Sequence, residues 1–361
     1  MSGPLVGIGI VEIDAIGPVP LAGMMLADMG ADVVRVARAP AAGGGAWSDV
    51  GGAVLHRGRG VIHLDLKDAR DRARAEALID RADALIEGFR PGVMERLGLG
   101  PDACLARNPR LVFGRMTGWG QTGPLAPRAG HDLNYLAITG ALGAIGDGKA
   151  PPPVPLNLVG DYGGGTMFLL AGLLAALLSA RATGRGQVVD AAIVDGVAAS
   201  MNLFHAWRAT GLWDDRPASN LLDGAAPFYR CYGCADGRFV AVGCLEPQFF
   251  ATMVDGLGLG DRGYRQNDRA GWPAMARDFA AAFATRTRDE WADRFADTDA
   301  CVSPVLSIAE ASAHPHNRAR ATFIERDGVE QAAPAPRFSV TPSAAGNQET
   351  ADLDAVLGRW R

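Results

Sequence analysis

The chain has 361 residues, of which 48% are hydrophobic and 21% charged, and its formal net charge at pH 7 is -5. This length supports at least one large core and favours two domains over one. The composition is that of an ordinary globular protein and excludes a disordered chain. The acidic balance excludes the strongly basic face that general nucleic-acid binding requires.

The cysteines and the apolar stretches bear on compartment, metals and membranes. Five scattered cysteines predict reduced thiols and a cytoplasmic location. Cys231 and Cys234 form one C-x-x-C pair, but no second pair with zinc-ligand spacing follows, so we expect no metal site. The most apolar stretch, Thr166 to Ala180, falls short of the roughly 18 to 20 residues that a membrane span requires. It predicts a buried helix and no membrane insertion.

Short apolar runs alternate with helical stretches through the first half of the chain. The first run, Val6 to Ile13, ends at the breaker Gly17 to Pro20, and a helix over Leu21 to Met29 follows. A Gly-rich stretch over 42–60 comes later. Further strands are predicted at Ala31 to Val36, Val61 to Leu66, Ala82 to Glu87, Arg110 to Arg115 and Gln187 to Val194. This alternation predicts an α/β fold with a parallel sheet of nucleotide-binding character.

The pattern changes beyond residue 225. Phe228 to Cys234 and Arg238 to Cys244 are strand-like runs separated by Ala235-Asp236-Gly237. Asp-Gly indicates a hairpin, because both turn positions tolerate positive φ. We therefore expect a smaller α+β domain over about 225–325, followed by a Pro-rich connector and a terminal helix from about Ala351.

Basic residues occur where a nucleotide would be held. The second predicted strand ends at Arg38, where a dinucleotide site carries an acidic residue for a free ribose, and the first loop lacks the G-x-G-x-x-G pattern. A basic residue suits the phosphorylated ribose of coenzyme A, and the alternative is a solvated arginine at a strand end. Arg57, Arg59, Lys67, Arg90 and Arg96 follow at loop or helix ends, where doubly wound sheets bind ligands.

Two Gly-rich segments carry titratable side chains at chain reversals. His131 lies in the first, and Asp161 lies in Gly160-Asp161-Tyr162-Gly163-Gly164-Gly165, where it is expected as an N-cap or first-turn residue. The three glycines let a ligand approach the backbone, and amides at such a helix start suit a developing oxyanion. Structural roles stay open beside these: capping for Asp161, a satisfied core histidine for His131 and a helix-start acid for Glu246.

At these motifs the chain resembles the α-methylacyl-CoA racemases, a branch of the family III CoA-transferase (CaiB/BaiF) superfamily. The resemblance runs nearly end to end and rests on several motifs in the right order. They are Gly30-Ala31-Asp32-Val33-Val34-Arg35-Val36, Asp65-Leu66-Lys67, Glu87-Gly88-Phe89-Arg90-Pro91-Gly92-Val93, Thr117-Gly118-Trp119-Gly120-Gln121-Thr122-Gly123-Pro124, Gly130-His131-Asp132, Gly160-Asp161-Tyr162-Gly163-Gly164-Gly165 and Gly186-Gln187-Val188-Val189-Asp190-Ala191-Ala192. One departure is Ala37, since an acidic residue often precedes Arg38 in the superfamily.

The resemblance implies a fold, an assembly and a set of site residues. The expected regions are a large CoA-binding Rossmann-like domain over 1–200, a linker over 201–224, a small α+β domain over 225–325, and a linker and C-terminal segment over 326–361 that returns to the large domain. Two chains interlock as a homodimer, with each active site between the large domain of one chain and the small domain of the other. The family's catalytic residues match His131, Asp161 and Glu246. Its CoA-contacting positions match Arg38, Leu64, Asp65, Leu66, Lys67, Gly88, Phe89, Arg90, Arg96, Gly130, His131, Asp132, Leu133, Asn134 and Tyr135.

The reaction implied is interconversion of the 2R and 2S epimers of 2-methylacyl-CoA thioesters, in lipid metabolism, with no cofactor beyond the CoA of the substrate. Neutral His131 takes the proton on one face while protonated Asp161 donates on the other, and the roles reverse in the opposite direction. Glu246 orients the imidazole. A helix N-terminus favours ionised Asp161, however, whereas the acid role requires the protonated form.

Two other functions stay open at this point. In a family III CoA transferase, Asp161 is the nucleophile that forms an acyl anhydride, and His131 has no role in that chemistry. The third possibility is a catalytically silent acyl-CoA-binding protein.

Overall fold

The computed structural model describes residues 2–39 and 51–360, which form two compact units. The first comprises the described residues of Met1–Thr139, Pro155–Met201 and Ala321–Arg361, and the second Gly140–Val154 and Asn202–Arg320. Positions 42–50 of the predicted Gly-rich stretch lie outside the described residues. Residues 140–154, which the sequence places in the large domain, belong to the second unit by their contacts.

Twelve strands are formed within the described residues, and the prediction of a parallel α/β sheet is confirmed. They are β1 Gly9–Ile13, β2 Asp32–Ala37, β3 Gly60–His63, β4 Ala84–Glu87, β5 Val112–Thr117, β6 Gln187–Ala192, β7 Tyr229–Gly233, β8 Phe239–Gly243, β9 Val302–Pro304, β10 Phe323–Arg326, β11 Val329–Ala332 and β12 Glu349–Thr350. Seven of them form one sheet in the order β12-β3-β2-β1-β4-β5-β6, and every pair in it is parallel.

The helices alternate with these strands along the first unit and surround the small sheet of the second. They are α1 Pro18–Asp28, α2 Gly52–Leu55, α3 Ala69–Ile79, α4 Val93–Arg96, α5 Pro101–Arg107, α6 Asp132–Ile138, α7 Met167–Thr183, α8 Ile193–Ser200, α9 Asn202–Ala209, α10 Pro247–Gly256, α11 Trp272–Phe283, α12 Arg288–Phe295, α13 Ile308–Ala311, α14 Pro315–Ala319 and α15 Leu353–Arg359. A π-helix over Val159–Thr166 leads directly into α7.

The strand order reverses at β1. In the sheet, β2 and β3 lie on one side of β1, whereas β4, β5 and β6 lie on the other. Open parallel sheets bind ligands at such a reversal, outside the carboxyl ends of the strands. The loops that follow β1 and β4 therefore mark where a ligand site is expected.

Buried ion pairs hold the segments around β1, and they correct one expectation. Arg59 Nη1 lies 2.5 Å from the Glu12 carboxylate, and both side chains are fully buried. Arg57 pairs with Asp28 at 2.6 Å, also in the interior. Burial raises the pKa of Glu12, although Arg59 opposes the rise. Arg57 and Arg59 are thus internal partners of carboxylates, not ligand-facing cations as their loop position suggested.

The sequence predicts a buried helix, and in the structure α7 buries one face on the sheet and exposes the other. Leu169, Leu173 and Leu177 are buried in the first unit. The helical run that contains α7 extends over Leu156–Thr183 and has 28 residues, so it is long and apolar enough to span a bilayer, by length and composition alone. The apolar stretch counted from the sequence, Thr166 to Ala180, was therefore shorter than the helical run that forms. Half of its most apolar window is buried inside the fold.

The second unit is a small α+β body with an aromatic core. Strands β7, β8 and β9 form an antiparallel sheet, and the predicted Asp-Gly hairpin is confirmed by the pairing of Tyr232 with Val240. Phe228, Phe279 and Phe283 are fully buried against the sheet. These residues give this unit a core of its own.

Candidate active site

Two cavities of the first unit lie at the reversal of strand order. The larger has a volume of about 800 Å³ and the smaller about 470 Å³. Ile16, Gly88 and Phe89 line both, so the two cavities adjoin, and together they are called the cleft. Its position matches the rule for ligand binding in open parallel sheets.

The larger cavity brings together His131 and Asp161, the two predicted bases of the first unit. His131 immediately precedes α6, and its backbone N–H donates to Asn134 Oδ1 at 3.0 Å. His131 is exposed and forms a capping box with Asn134 at the start of α6. Its side chain lines the larger cavity, where an imidazole can take part in proton transfer.

Asp161 lies in the first turn of the π-helix, as the sequence predicts, but it caps no helix. The cap position is Leu158, and Asp161 has helical backbone within Val159–Thr166. Its amide donates to Asp132 Oδ1 at 2.6 Å, so this amide is not free to bind an oxyanion as expected. Single π-helical turns are rare and occur frequently at functional sites.

Burial decides the protonation of Asp161. Desolvation raises the pKa of Asp161 to about 6, and the nearby Asp132 carboxylate adds to the rise. A hydrogen bond with Asn157 and the charge of His131 act in the opposite direction. Desolvation thus outweighs any stabilisation by helix amides and raises the share of the acid form, although the carboxylate still predominates at pH 7.

The glycines after Asp161 serve packing. A Cβ on Gly164 would lie 2.5 Å from Val197 Cγ2 of α8, and one on Gly165 would lie 3.1 Å from Ile193 Cγ1. The expectation that these glycines expose the backbone to ligand is therefore wrong for these two positions, because α8 covers them. The glycine that approaches the carboxylate is Gly17, which has φ +78° and whose Cβ would lie 3.4 Å from Asp161 Oδ2.

The smaller cavity collects most of the predicted nucleotide contacts. It is lined by Arg38, Leu64, Asp65, Leu66, Lys67, Gly88 and Phe89, while Arg90, Gly130, His131 and Tyr135 line the larger one. The side chains of Arg38, Lys67 and Arg90 are exposed cations without an ion-pair partner in the described ranges. The cleft thus offers positive charge at its narrow end and an acid/base pair at its wide end.

Five of the predicted site residues lie outside the lining of both cavities. Arg96 is exposed on α4. Asp132, Leu133 and Asn134 form the first turn of α6, where Asp132 faces the π-helix instead. Glu246 lies in the second unit, at the cap position of α10. The structure therefore does not join Glu246 to the pair of bases within the first unit.

Glu87 is a site residue that the sequence reasoning missed. Its carboxylate accepts the Phe89 N–H at 2.6 Å and the Arg115 Nε–H at 2.9 Å, and it is fully buried. Arg115 in turn pairs with Glu95 of α4 at 2.7 Å. Glu87 therefore fixes the loop that lines both cavities. A charged residue at the end of the otherwise apolar strand Ala84–Glu87 is the signal that marks it.

The described ranges contain no group of three or more His, Cys, Asp or Glu side chains placed to hold a metal ion. The chemistry that the cleft offers is that of the imidazole and the carboxyl group of its two bases.

The structure is a Rossmann-like α/β protein whose cleft lies at the reversal of strand order and holds His131 and Asp161. Residues 5–351 match CoA-transferase family III, and the chain belongs to this family. It is 43% identical to the alpha-methylacyl-CoA racemase of Mus musculus, over 93% of this chain and 87% of the relative. The alpha-methylacyl-CoA racemase of Homo sapiens is also 43% identical, over 94% of this chain and 87% of the relative.

More distant relatives share the family and the fold. The acetyl-CoA:oxalate CoA-transferase of Acetobacter aceti is 30% identical over 91% of this chain and 87% of its own length. A CAIB/BAIF family protein from Brucella suis superposes with a TM-score of 0.81 at 24% identity, covering 99% of this chain and 98% of that structure. The family resemblance inferred from the motifs is confirmed.

The raised pKa of Asp161 predicts a pH dependence of stability. Folded Asp161 keeps its proton up to about pH 6, whereas a carboxyl in the unfolded chain releases it near 3.8. The folded state therefore binds more protons between these values, and this group makes stability fall as pH rises through that window. Asp161→Asn should remove the fall and gain about 1 to 2 kcal/mol relative to the unchanged chain between pH 4 and 7, after allowance for solvent screening.

Urea unfolding at several pH values measures this difference. Asp195→Asn, which changes an exposed carboxylate of α8, is the matched control and should keep the fall. Parallel stability curves for Asp161→Asn and the unchanged chain would show that Asp161 ionises normally.

Proposed function

We propose that this chain is an α-methylacyl-CoA racemase, which interconverts the 2R and 2S epimers of 2-methylacyl-CoA thioesters. The observation that carries the proposal is that His131 and Asp161 line one cavity, with the pKa of Asp161 raised to about 6. The 43% identity to two racemases over nearly the whole chain supports this reaction above the others open to the family.

Racemisation moves one proton off C2 and another onto its opposite face. In one direction neutral His131 removes the proton, the electrons of the C–H bond pass into the thioester carbonyl as an enolate, and protonated Asp161 returns a proton from the other side. In the other direction the roles reverse. A pKa near 6 leaves roughly a tenth of Asp161 protonated at pH 7, so both forms that the cycle needs are present.

The cleft gives each end of the substrate a place. The ribose phosphate of CoA would lie at Arg38 and Lys67 in the smaller cavity, and the thioester in the larger one between the two bases. Arg90 at the junction would face the intervening diphosphate. Glu246 stays a predicted positioning residue for the imidazole. No cofactor beyond the CoA of the substrate is proposed.

The transferase function remains the second candidate, because a relative of that activity is 30% identical. A transferase would use ionised Asp161 as a nucleophile and break the thioester, whereas a racemase leaves it intact. His131 in the same cavity favours proton transfer, since the nucleophilic route has no step for an imidazole there. A silent binding protein would bind the same thioesters without either reaction.

We also propose that two chains form a homodimer, that the protein is cytoplasmic and that it acts in lipid metabolism. The five free cysteines support a reducing compartment. The outer face of α7 supports the dimer, because Met167, Phe168 and Leu178 are exposed on that helix. Apolar side chains grouped on one face are typical of an interface between chains.

Incubation of each epimer in deuterated water, without any acyl acceptor, tests the reaction. Solvent deuterium should appear at C2 of both epimers. Because each base reaches one face, His131→Ala should slow exchange from the 2S epimer by about 100-fold or more, and Asp161→Asn should do so for the 2R epimer. The epimer assigned to each base follows the family's handedness. Glu246→Gln should resemble a weaker His131 defect.

Three outcomes would contradict this reading. Acyl transfer to an added free acid with no exchange would move the chain to the transferases, as would an acyl adduct trapped on Asp161. If all three variants still bind CoA but lose exchange from both epimers equally, a mechanism with a single base would become the better account.

The CoA placement has its own test. Arg38→Ala should weaken binding of CoA by about 10-fold or more, as expected for loss of a charge-assisted contact, and should weaken 3′-dephospho-CoA much less. Arg70→Ala, an exposed arginine of α3, is the control. Lys67 and Lys149 are the two lysines of the chain. Bound CoA should protect Lys67 from an amine-reactive reagent, whereas Lys149 should still be labelled. Equal weakening of both ligands by Arg38→Ala would return Arg38 to a solvated surface role.

The dimer is tested by analytical ultracentrifugation of the full chain. Leu178→Asp places a charge on the exposed face of α7 and should shift the population from dimer to monomer. Arg70→Asp, at an exposed arginine of α3 in the first unit, should leave the dimer intact. A monomeric unchanged chain at micromolar concentration would refute the assembly.

A further inference from the structure

Asp132 follows His131 directly in the chain, yet its side chain faces the other base. Its Oδ1 accepts the Asp161 N–H at 2.6 Å, and the Gly160 amide donates to the same carboxylate. The residue is 9% exposed, and its second oxygen, Oδ2, is buried without a hydrogen-bond partner. Asp132 thus ties the π-helix to the start of α6.

The Asp132 carboxylate lies very close to the π-helix backbone at Gly160. A Cβ on Gly160 would lie 2.3 Å from Asp132 Oδ1, so any side chain there would displace the carboxylate. Glycine at position 160 is therefore required for the approach of Asp132 to the π-helix backbone.

A neutral acceptor would satisfy the two amides as well as a carboxylate does. A buried carboxylate with one unpartnered oxygen costs free energy, because it leaves water without full compensation. Asn would accept the same N–H without the charge. The charge of Asp132 therefore calls for a role beyond capping, and it acts on the carboxyl group of Asp161, the residue whose amide it binds.

We propose that Asp132 is a positioning residue of the reaction: it fixes the turn that carries Asp161 relative to His131, and its negative charge favours the protonated, proton-donating form of Asp161. This inference rests on the proposed function, because it assigns Asp161 an acid role. It reassigns the side chain of Asp132 from the substrate contact expected by resemblance to a contact within the protein.

Among the described groups that face Asp161, Asp132 supplies the negative charge. His131 and Tyr135 face it from the α6 side, Asn157 donates a hydrogen bond from the turn before the π-helix, and Gly17 approaches from the loop after β1. Burial raises the pKa of the Tyr135 hydroxyl to about 12, so it stays neutral near pH 7. Arg90 acts on the same hydroxyl and opposes that rise.

Asp132→Asn separates charge from geometry, because the amide oxygen still accepts the Asp161 N–H. The pH midpoint of exchange from the 2R epimer, where Asp161 is the base, should move down by roughly half a unit to one unit. Conversion of the 2S to the 2R epimer at pH 7 should slow by about three- to tenfold, because less Asp161 carries a proton. Asp132→Glu keeps the negative charge, so its pH midpoint should match that of the unchanged chain.

Infrared titration of the Asp161 carboxyl in the ligand-free protein reads the same midpoint without any turnover. The signal is assigned by difference from Asp161→Asn. Asp190→Asn is the matched control, since that exposed carboxylate also accepts a backbone N–H, from Gln121 at 3.2 Å, and should shift neither midpoint. If the chain catalyses no exchange, the infrared midpoint still decides, so failure of the proposed function is distinguishable.

An unchanged infrared midpoint in folded Asp132→Asn would overturn the inference. Circular dichroism establishes folding for each variant. If Asp132→Asn does not fold, Asp132→Ser supplies a smaller neutral acceptor and carries the same expected shift. A shift in Asp132→Glu as large as in Asp132→Asn would also overturn it, because charge would then not be the cause.

Discussion

The hydrogen bond from the Asp161 amide to the Asp132 carboxylate joins two segments that are 29 residues apart in sequence. One segment carries His131 and the other carries Asp161, so the separation of the two bases depends on this bond. At the narrow end of the cleft, the Glu87 carboxylate likewise accepts a hydrogen bond from a backbone amide, that of Phe89 in the loop that lines both cavities. The cleft is therefore shaped by buried carboxylates that bind backbone amides, and each is placed by the end of a strand or the start of a helix.

Six of the seven strands of the large sheet, β1 to β6, could be predicted because each contains a run of apolar residues. Strand β12 could not, since Glu349–Thr350 has no such pattern and joins the sheet through backbone bonds to β3. The hairpin of β10 and β11 was missed for the same reason, because its burial alternates only weakly. The roles of Arg57 and Arg59 depend on partners 29 and 47 residues away, which no local pattern reveals.

Of the site, the sequence supplied the two bases and most of the cleft lining, because ordered motifs identify the family and its loops. It did not supply the π-helix. That turn depends on contact with α8, where Val197 leaves no room for a side chain at Gly164, and such a contact is not encoded in the turn itself. The glycine run therefore looked like an opening for ligand, whereas in the structure it is a contact between helices. Glu246 lies in the second unit, and its predicted place beside the imidazole belongs to the proposed dimer, which no local sequence pattern encodes.

The close fit of Gly164 against α8 limits how such a protein can diversify. Even one methyl group at Gly164 would lie 2.5 Å from Val197 Cγ2, so a larger residue there would force the helix that carries Asp161 away from α8. Exposed residues that line the larger cavity, such as Ile16 and Arg128, face no comparable barrier, because a change there disturbs few packed neighbours. Adaptation to other acyl groups is therefore expected to accumulate in the loops at the sheet edge, while the backbone beneath the carboxyl group drifts little.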